Sequence, residues 1–257
     1  MNKVNDRHPS KKTIQLHFLE YLILFSSVLL GGGLAFYFQK NNKALLQLVL
    51  SFSGAFILGI SVLHLMPVAF SNEGNGVGIL ILVGFFVQLL LEQLSKGVEH
   101  GHIHAPHDRK NSFAIQVLLG LCIHAFFEGI PLSNHDIHVH EHHDHLLLGI
   151  ILHKAPAAFA LVLLFLMSGF KNTFIWMSLM LFAAMSPLGA GVGEYLAGTG
   201  LLTVENQNYV VAFVVGSFLH IATTILFETD SNAHHAIPIK KLFAILVGLS
   251  MALLTMH

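Results

Sequence analysis

One stretch of this 257-residue chain reads Cys122-Ile123-His124-Ala125-Phe126-Phe127-Glu128-Gly129-Ile130-Pro131. His124 and Glu128 are four residues apart, so on a helix they share one face. An imidazole and a carboxylate on one face can chelate a divalent ion. A second stretch, Leu152-His153-Lys154-Ala155-Pro156-Ala157-Ala158, adds a histidine and a lysine. Both stretches lie in long apolar runs, and an ionisable group at membrane depth costs roughly 2.5–3.5 kcal/mol or more. Pro131 cannot donate to the carbonyl of Phe127, nor Pro156 to that of Leu152. Each proline is expected to break its helix and free a backbone oxygen beside the polar residues, as in transporters that bind at the bilayer midplane. A buried polar contact between helices would account for one isolated histidine. It does not account for His124, Glu128, His153 and Lys154 together, beside two prolines.

Other residues carry less. His64 precedes Met66-Pro67, and His220 lies in a later apolar run. Each reads first as a packed core histidine and second as an accessory ligand. Glu194 follows Gly189, Gly191 and Gly193; it either faces water at the membrane surface or lines an entrance. Cys122 reads as packing, and Glu92 and Gln93 read as capping or snorkelling groups. Gly54, Gly59, Gly120, Gly129, Gly189 and Gly193 would let helices approach closely. Outside the apolar runs, histidines cluster twice. One segment holds His100, His102, His104 and His107; the other holds His135, His138, His140, His142, His143 and His145 among Asp136, Glu141 and Asp144. Neutral imidazole suits zinc, copper, iron and nickel. Alternating histidines of this kind read as weak capture of metal ions, one cluster on each side of a membrane.

The elements that must position these groups are long apolar runs. The chain is 54% hydrophobic and 11% charged, against about a quarter charged in soluble domains. A bilayer needs roughly 20 apolar residues per helix. Eight runs qualify, at about 17–39, 45–70, 76–96, 113–132, 146–168, 172–197, 209–228 and 239–256. They are continuous rather than alternating, which disfavours strands. The expected architecture is an all-α polytopic membrane protein with eight transmembrane helices, one domain over 1–257. It has an N-terminal tail, 1–16, and histidine-rich loops at about 97–112 and 133–145. The first run is too long for a cleaved signal. A net charge of −1 argues against nucleic acid, and one cysteine excludes an internal disulfide. Lys40, Lys43, Lys96, Arg109, Lys110, Lys171, Lys240 and Lys241 all fall in odd-numbered loops, which places those loops in the cytoplasm and both termini outside. The tail residues Lys3, Arg7, Lys11 and Lys12 run against this.

The chain resembles the ZIP family of zinc and iron transporters over nearly its whole length. His124, Glu128 and Gly129 match that family's fourth-helix signature, H-N/S-x-x-E/D-G. His153 and Pro156 match the fifth, H-E-x-P-H-E. Ser53-Gly54 with His64-Leu65-Met66-Pro67 looks like the second helix, Gly84-Phe85-Phe86 with Leu91-Glu92-Gln93-Leu94 like the third, and Ser186-Pro187-Leu188-Gly189 like the sixth. The resemblance implies eight helices with inverted repeats, a transport site between helices four and five, and alternating access by movement of one helix bundle against another. Carried over by position, the metal ligands would be His124, Glu128 and His153. Where many members use Asn and a second carboxylate to hold a second ion, this chain has Ala125 and Lys154, and Ala157 stands where a further His or Glu is common. Lys154 resembles the His-Lys version of one branch. An ammonium there removes a ligand, repels a second cation and pairs with Glu128, so one ion is expected.

The expected function is uptake of zinc into the cytoplasm across the cell membrane, with Fe2+, Mn2+ or Cd2+ as other cargo and no cofactor. The protein would not be an enzyme; its partners would be the metal ion and the bilayer, with monomer and homodimer both open. A cation-diffusion exporter is an alternative, but such proteins resemble six-helix bundles with a cytoplasmic domain. A membrane-embedded zinc hydrolase, with bound water as nucleophile, is another.

Overall fold

In the computed structural model, residues 11–37, 43–71, 76–95, 110–133, 140–227 and 238–255 are described. Among them there is no strand. Eight helical rods follow one another: α1 (Lys11–Tyr37), α2 (Lys43–Ile60), α3 (Val77–Ser95), α4 (Lys110–Gly129), α5 (His140–Met167), α6 (Asn172–Gly198), α7 (Val204–Phe227) and α8 (Ile239–Leu254). Six of these rods contain segments long and apolar enough to cross a membrane: Phe18–Tyr37, Gln47–Ala69, Ser112–Ser133, Leu146–Met167, Asn172–Gly198 and Asn206–Phe227. The third and eighth runs form shorter apolar helices. Val77–Gln93 is the apolar part of α3, and α8 has 16 residues, about 24 Å at 1.5 Å per residue. Large apolar side chains stay exposed along α3 (Ile79, Leu82, Phe86, Leu90) and α8 (Phe243, Leu246, Leu254), a surface that suits lipid rather than water.

Sequence chemistry accounts for the helix ends and irregularities. Gly169 and Gly200 adopt φ of +78° and +76°, the left-handed conformation that closes helices α5 and α6. The amides just beyond turn back, Phe170 to the Phe165 carbonyl and Leu201 to that of Leu196, both at 3.1 Å. In α2, Pro67 cannot bond to the Leu63 carbonyl. The helix widens there into a π turn, Ser61–Leu65, before one last α turn, Met66–Ala69. After Gly129, α4 tightens into a 3-10 turn, Ile130–Ser133, where Pro131 lacks its donor. Pro156 behaves differently from expectation. It sits inside an unbroken α5, because the stranded Leu152 carbonyl is met from another helix: Ser53 Oγ of α2 donates to it at 3.1 Å.

α5 also reaches back to His140, so the second histidine-rich segment is not all loop. No proline or glycine interrupts His140–Leu148, and the helix extends into it. The backbone of His140, His142, His143 and His145 is helical; their side chains lie outside the described residues, as do His100, His102, His104, His107, His135 and His138.

The rods sort into two bundles by contact. α1 packs on α5 and α6, and α6 on α4; α3 packs on α7, and α2 on α7 and α8. The first bundle has its own core, built from Val28, Val117, Leu121, Leu161, Phe165 and Phe182 among others. Across the seam, α2 meets α5 and α3 meets α4.

Candidate metal centre

Two glycines set the depth of the site. A Cβ at Gly129 would strike the Ser186 carbonyl, and one at Gly189 the Phe126 carbonyl. Helices α4 and α6 therefore touch backbone to backbone, which small residues permit and larger ones forbid. That contact delivers Ser186 of α6 to Glu128 of α4, while α5 brings His153 and Lys154 from the other side.

His124, Glu128 and His153 each offer one ligand atom, and these three atoms lie within 4.8 Å of one another. The three residues are 3%, 1% and 1% exposed, so water is nearly excluded. The two imidazoles meet edge to face, centroids 5.5 Å apart at 84°. A zinc ion makes bonds of about 2.0–2.2 Å to nitrogen and oxygen, which puts tetrahedral ligands about 3.5 Å apart. Contraction on the order of 1 Å would close this set around one ion, with a fourth position left for water. The donor set, two neutral nitrogens and one carboxylate oxygen, suits zinc and its borderline neighbours.

The carboxylate is divided between two duties. Glu128 Oε2 faces His124 Nε2 at 3.1 Å, whereas Oε1 pairs with Lys154 Nζ at 2.8 Å. Lys154 is itself 1% exposed; a buried charge needs such a partner. Its ammonium also donates to Ser186 Oγ, and stands 5.3 Å over the ring of Phe182. Ser186 Oγ in turn donates a hydrogen bond to the Ala125 carbonyl at 2.6 Å. The side chain of Ala125 is a methyl group and supplies no ligand. Lys154, Glu128 and Ser186 thus form one closed network adjoining the three-ligand cluster.

The accessory candidates lie elsewhere. His64 bonds Thr255 Oγ1 through Nε2 at 3.2 Å, between α2 and α8. Tyr21 of α1 donates to Glu194 of α6. His220 Nε2 meets Glu92 Oε2 between α7 and α3, with the Phe85 ring edge-on at 4.8 Å. None of the three joins the cluster among the described residues. Glu92 is thus the hydrogen-bond partner of His220 between α3 and α7. The sequence reading also passed over Gln88 and Ser217, which bond at 3.1 Å. Their signal was available: Gln88 precedes Glu92 by four and Ser217 precedes His220 by three, so each pair shares a helix face.

Residues 100–256 match the family described as ZIP zinc transporter. Zinc transporter ZIP9-B of Xenopus laevis is 30% identical over 180 residues, covering 64% of this chain and 56% of that protein. Zinc transporter ZIP9 of Micropogonias undulatus is 28% identical over 174 residues, 62% and 53% respectively. The chain thus spans about half the length of these curated relatives. Zinc transporter ZIP1 of Danio rerio is 24% identical over 263 residues, 82% of this chain and 84% of that protein.

Proposed function

The chain belongs to the ZIP zinc transporter family, and from that premise we propose that it carries zinc across a bilayer through a single buried metal site. The observation that carries the reading is the convergence of His124, Glu128 and His153 from two helices on one desolvated point. Fe2+, Mn2+ and Cd2+ are further cargo that the same donors accept, since ligand type alone discriminates poorly among these ions. Three ligands, one of them a carboxylate already shared with Lys154, hold an ion less firmly than a closed four-ligand site. A carrier must bind and also release.

Lys154 limits the site to one ion. Its ammonium lies 2.8 Å from Glu128 Oε1, on the side of the carboxylate where a second cation would need that oxygen. Repulsion and the missing ligand act together.

We place all eight helices across the membrane, with α3 and α8 as short spans met by local thinning of the bilayer. Within the bundles, the contact pattern supports an inverted repeat: exchanging α1 with α6, α2 with α7, α3 with α8 and α4 with α5 turns α1–α5 into α6–α4 and α3–α7 into α8–α2. Alternating access then follows from movement of the bundle that holds the ligands against the other. Loop charges favour an orientation with both termini outside the cytoplasm, and we assign uptake across the cell membrane as the direction the flux assay must test. Radiolabelled zinc uptake into proteoliposomes tests the reading. Flux present in the wild type and lost in His124→Ala supports it; hydrolysis without flux would replace it with an enzyme.

A further inference from the structure

The three ligands belong to α4 and α5, but one of them is touched from the opposite bundle. Ser217 Oγ of α7 lies 3.4 Å from His124 Nδ1, at the long end of hydrogen-bonding range. The same hydroxyl donates to Gln88 Oε1 of α3 at 3.1 Å. Gln88 is 1% exposed and Ser217 6%, so both are buried polar groups in apolar helices. Such groups are costly unless they are hydrogen-bonded.

A serine hydroxyl has one proton. Here it points at Gln88, which leaves only lone pairs for the imidazole. With a metal ion on Nε2, His124 carries its proton on Nδ1, and the Ser217 oxygen is placed to accept it. Nε2 is also the nitrogen on the Glu128 side, 3.1 Å from Oε2. A metal-bound histidine ordinarily donates its other N–H to an acceptor that sets the ring's tautomer and orientation. We infer that Ser217 and Gln88 are positioning residues for metal binding: they hold the His124 ring with Nε2 turned to the ion, from the bundle that supplies no ligand.

This inference rests on the metal-site reading above and adds a consequence to it. The ligand set is oriented across the seam between bundles. Sliding of one bundle past the other breaks the Ser217 contact and loosens His124, so affinity depends on the arrangement of the bundles.

The test uses the full chain in nanodiscs and proteoliposomes, with Co2+ as a spectroscopic probe and Zn2+ for flux. Ser217→Ala and Gln88→Leu are expected to weaken Co2+ affinity about tenfold or more. They should raise KM for Zn2+ more than they lower maximal flux, and shift the visible Co2+ band. Ser217→Thr keeps a hydroxyl and should recover most of the lost affinity, which a purely steric role would not produce. Monodisperse elution of each variant separates this result from misfolding. If His124→Ala abolishes flux while Ser217→Ala and Gln88→Leu leave affinity, KM and the Co2+ band unchanged, the positioning role is wrong and the metal site stands. If His124→Ala retains flux, the site reading fails and this inference with it.

Discussion

At the scale of single residues, Glu128 holds the site together because its two oxygens face different partners. Oε2 looks to His124 and Oε1 to Lys154. Glu128→Gln removes the anionic donor and leaves Lys154 buried beside an amide. Zinc flux should vanish, as in His124→Ala, when uptake is measured in proteoliposomes. Lys154→Met has a different signature. Breaking a buried pair from one side costs about 3–5 kcal/mol, because the remaining charge is stranded. The metal-free variant should therefore melt well below the wild type, and added zinc should restore part of the loss by neutralising Glu128. Zinc at a hundredfold its Kd should stabilise the wild type by about 2.7 kcal/mol and His124→Ala not at all. A stoichiometry of one core ion, counted after deletion of the histidine-rich segments, completes the picture; two tightly bound ions would refute the role given to Lys154.

At the scale of helices, the irregularity at Pro156 is matched by a partner on a neighbour. Pro156 leaves the Leu152 carbonyl without its helical donor, and Ser53 supplies one from α2. Gly129 and Gly189 bring α4 and α6 into backbone contact, which is what places Ser186 against Lys154. Gly189→Val would force these helices apart. Overpacking of this kind costs about 1–3 kcal/mol. The displacement would also withdraw Ser186 from the network, so both the thermal midpoint and zinc affinity should fall. The spacing of His124 and Glu128 was legible in the sequence because an α-helix fixes which residues share its face. The unbroken path of α5 through Pro156 was not, because the group that compensates it sits about a hundred residues away in the chain.

At the scale of the whole molecule, the three candidate ligands lie in one bundle, against the other. A Cβ at Gly149 of α5 would stand 3.9 Å from Ile60 Cγ2 of α2, so side chains at the two positions meet across the seam. In a Cys122→Ala background, the pair Gly149→Cys and Ile60→Cys should cross-link the bundles and arrest zinc flux, with recovery on reduction. Flux that continues at the wild-type rate after cross-linking would argue against movement of the bundles as bodies.

The sequence by itself determined that this chain is helical and apolar enough for a bilayer, and which residue types sit at chelating distance along one helix. Composition and local periodicity carry that information, because each helix satisfies its own backbone. The Lys154–Glu128 pairing was expected and is present; only the tertiary structure decided that Ser186 and Ser217 reach the site from α6 and α7, and that His64, Glu194 and His220 find other partners. Those contacts join helices far apart in the chain. Their geometry is set by how closely glycine-bearing backbones can pack, which no single run of residues records.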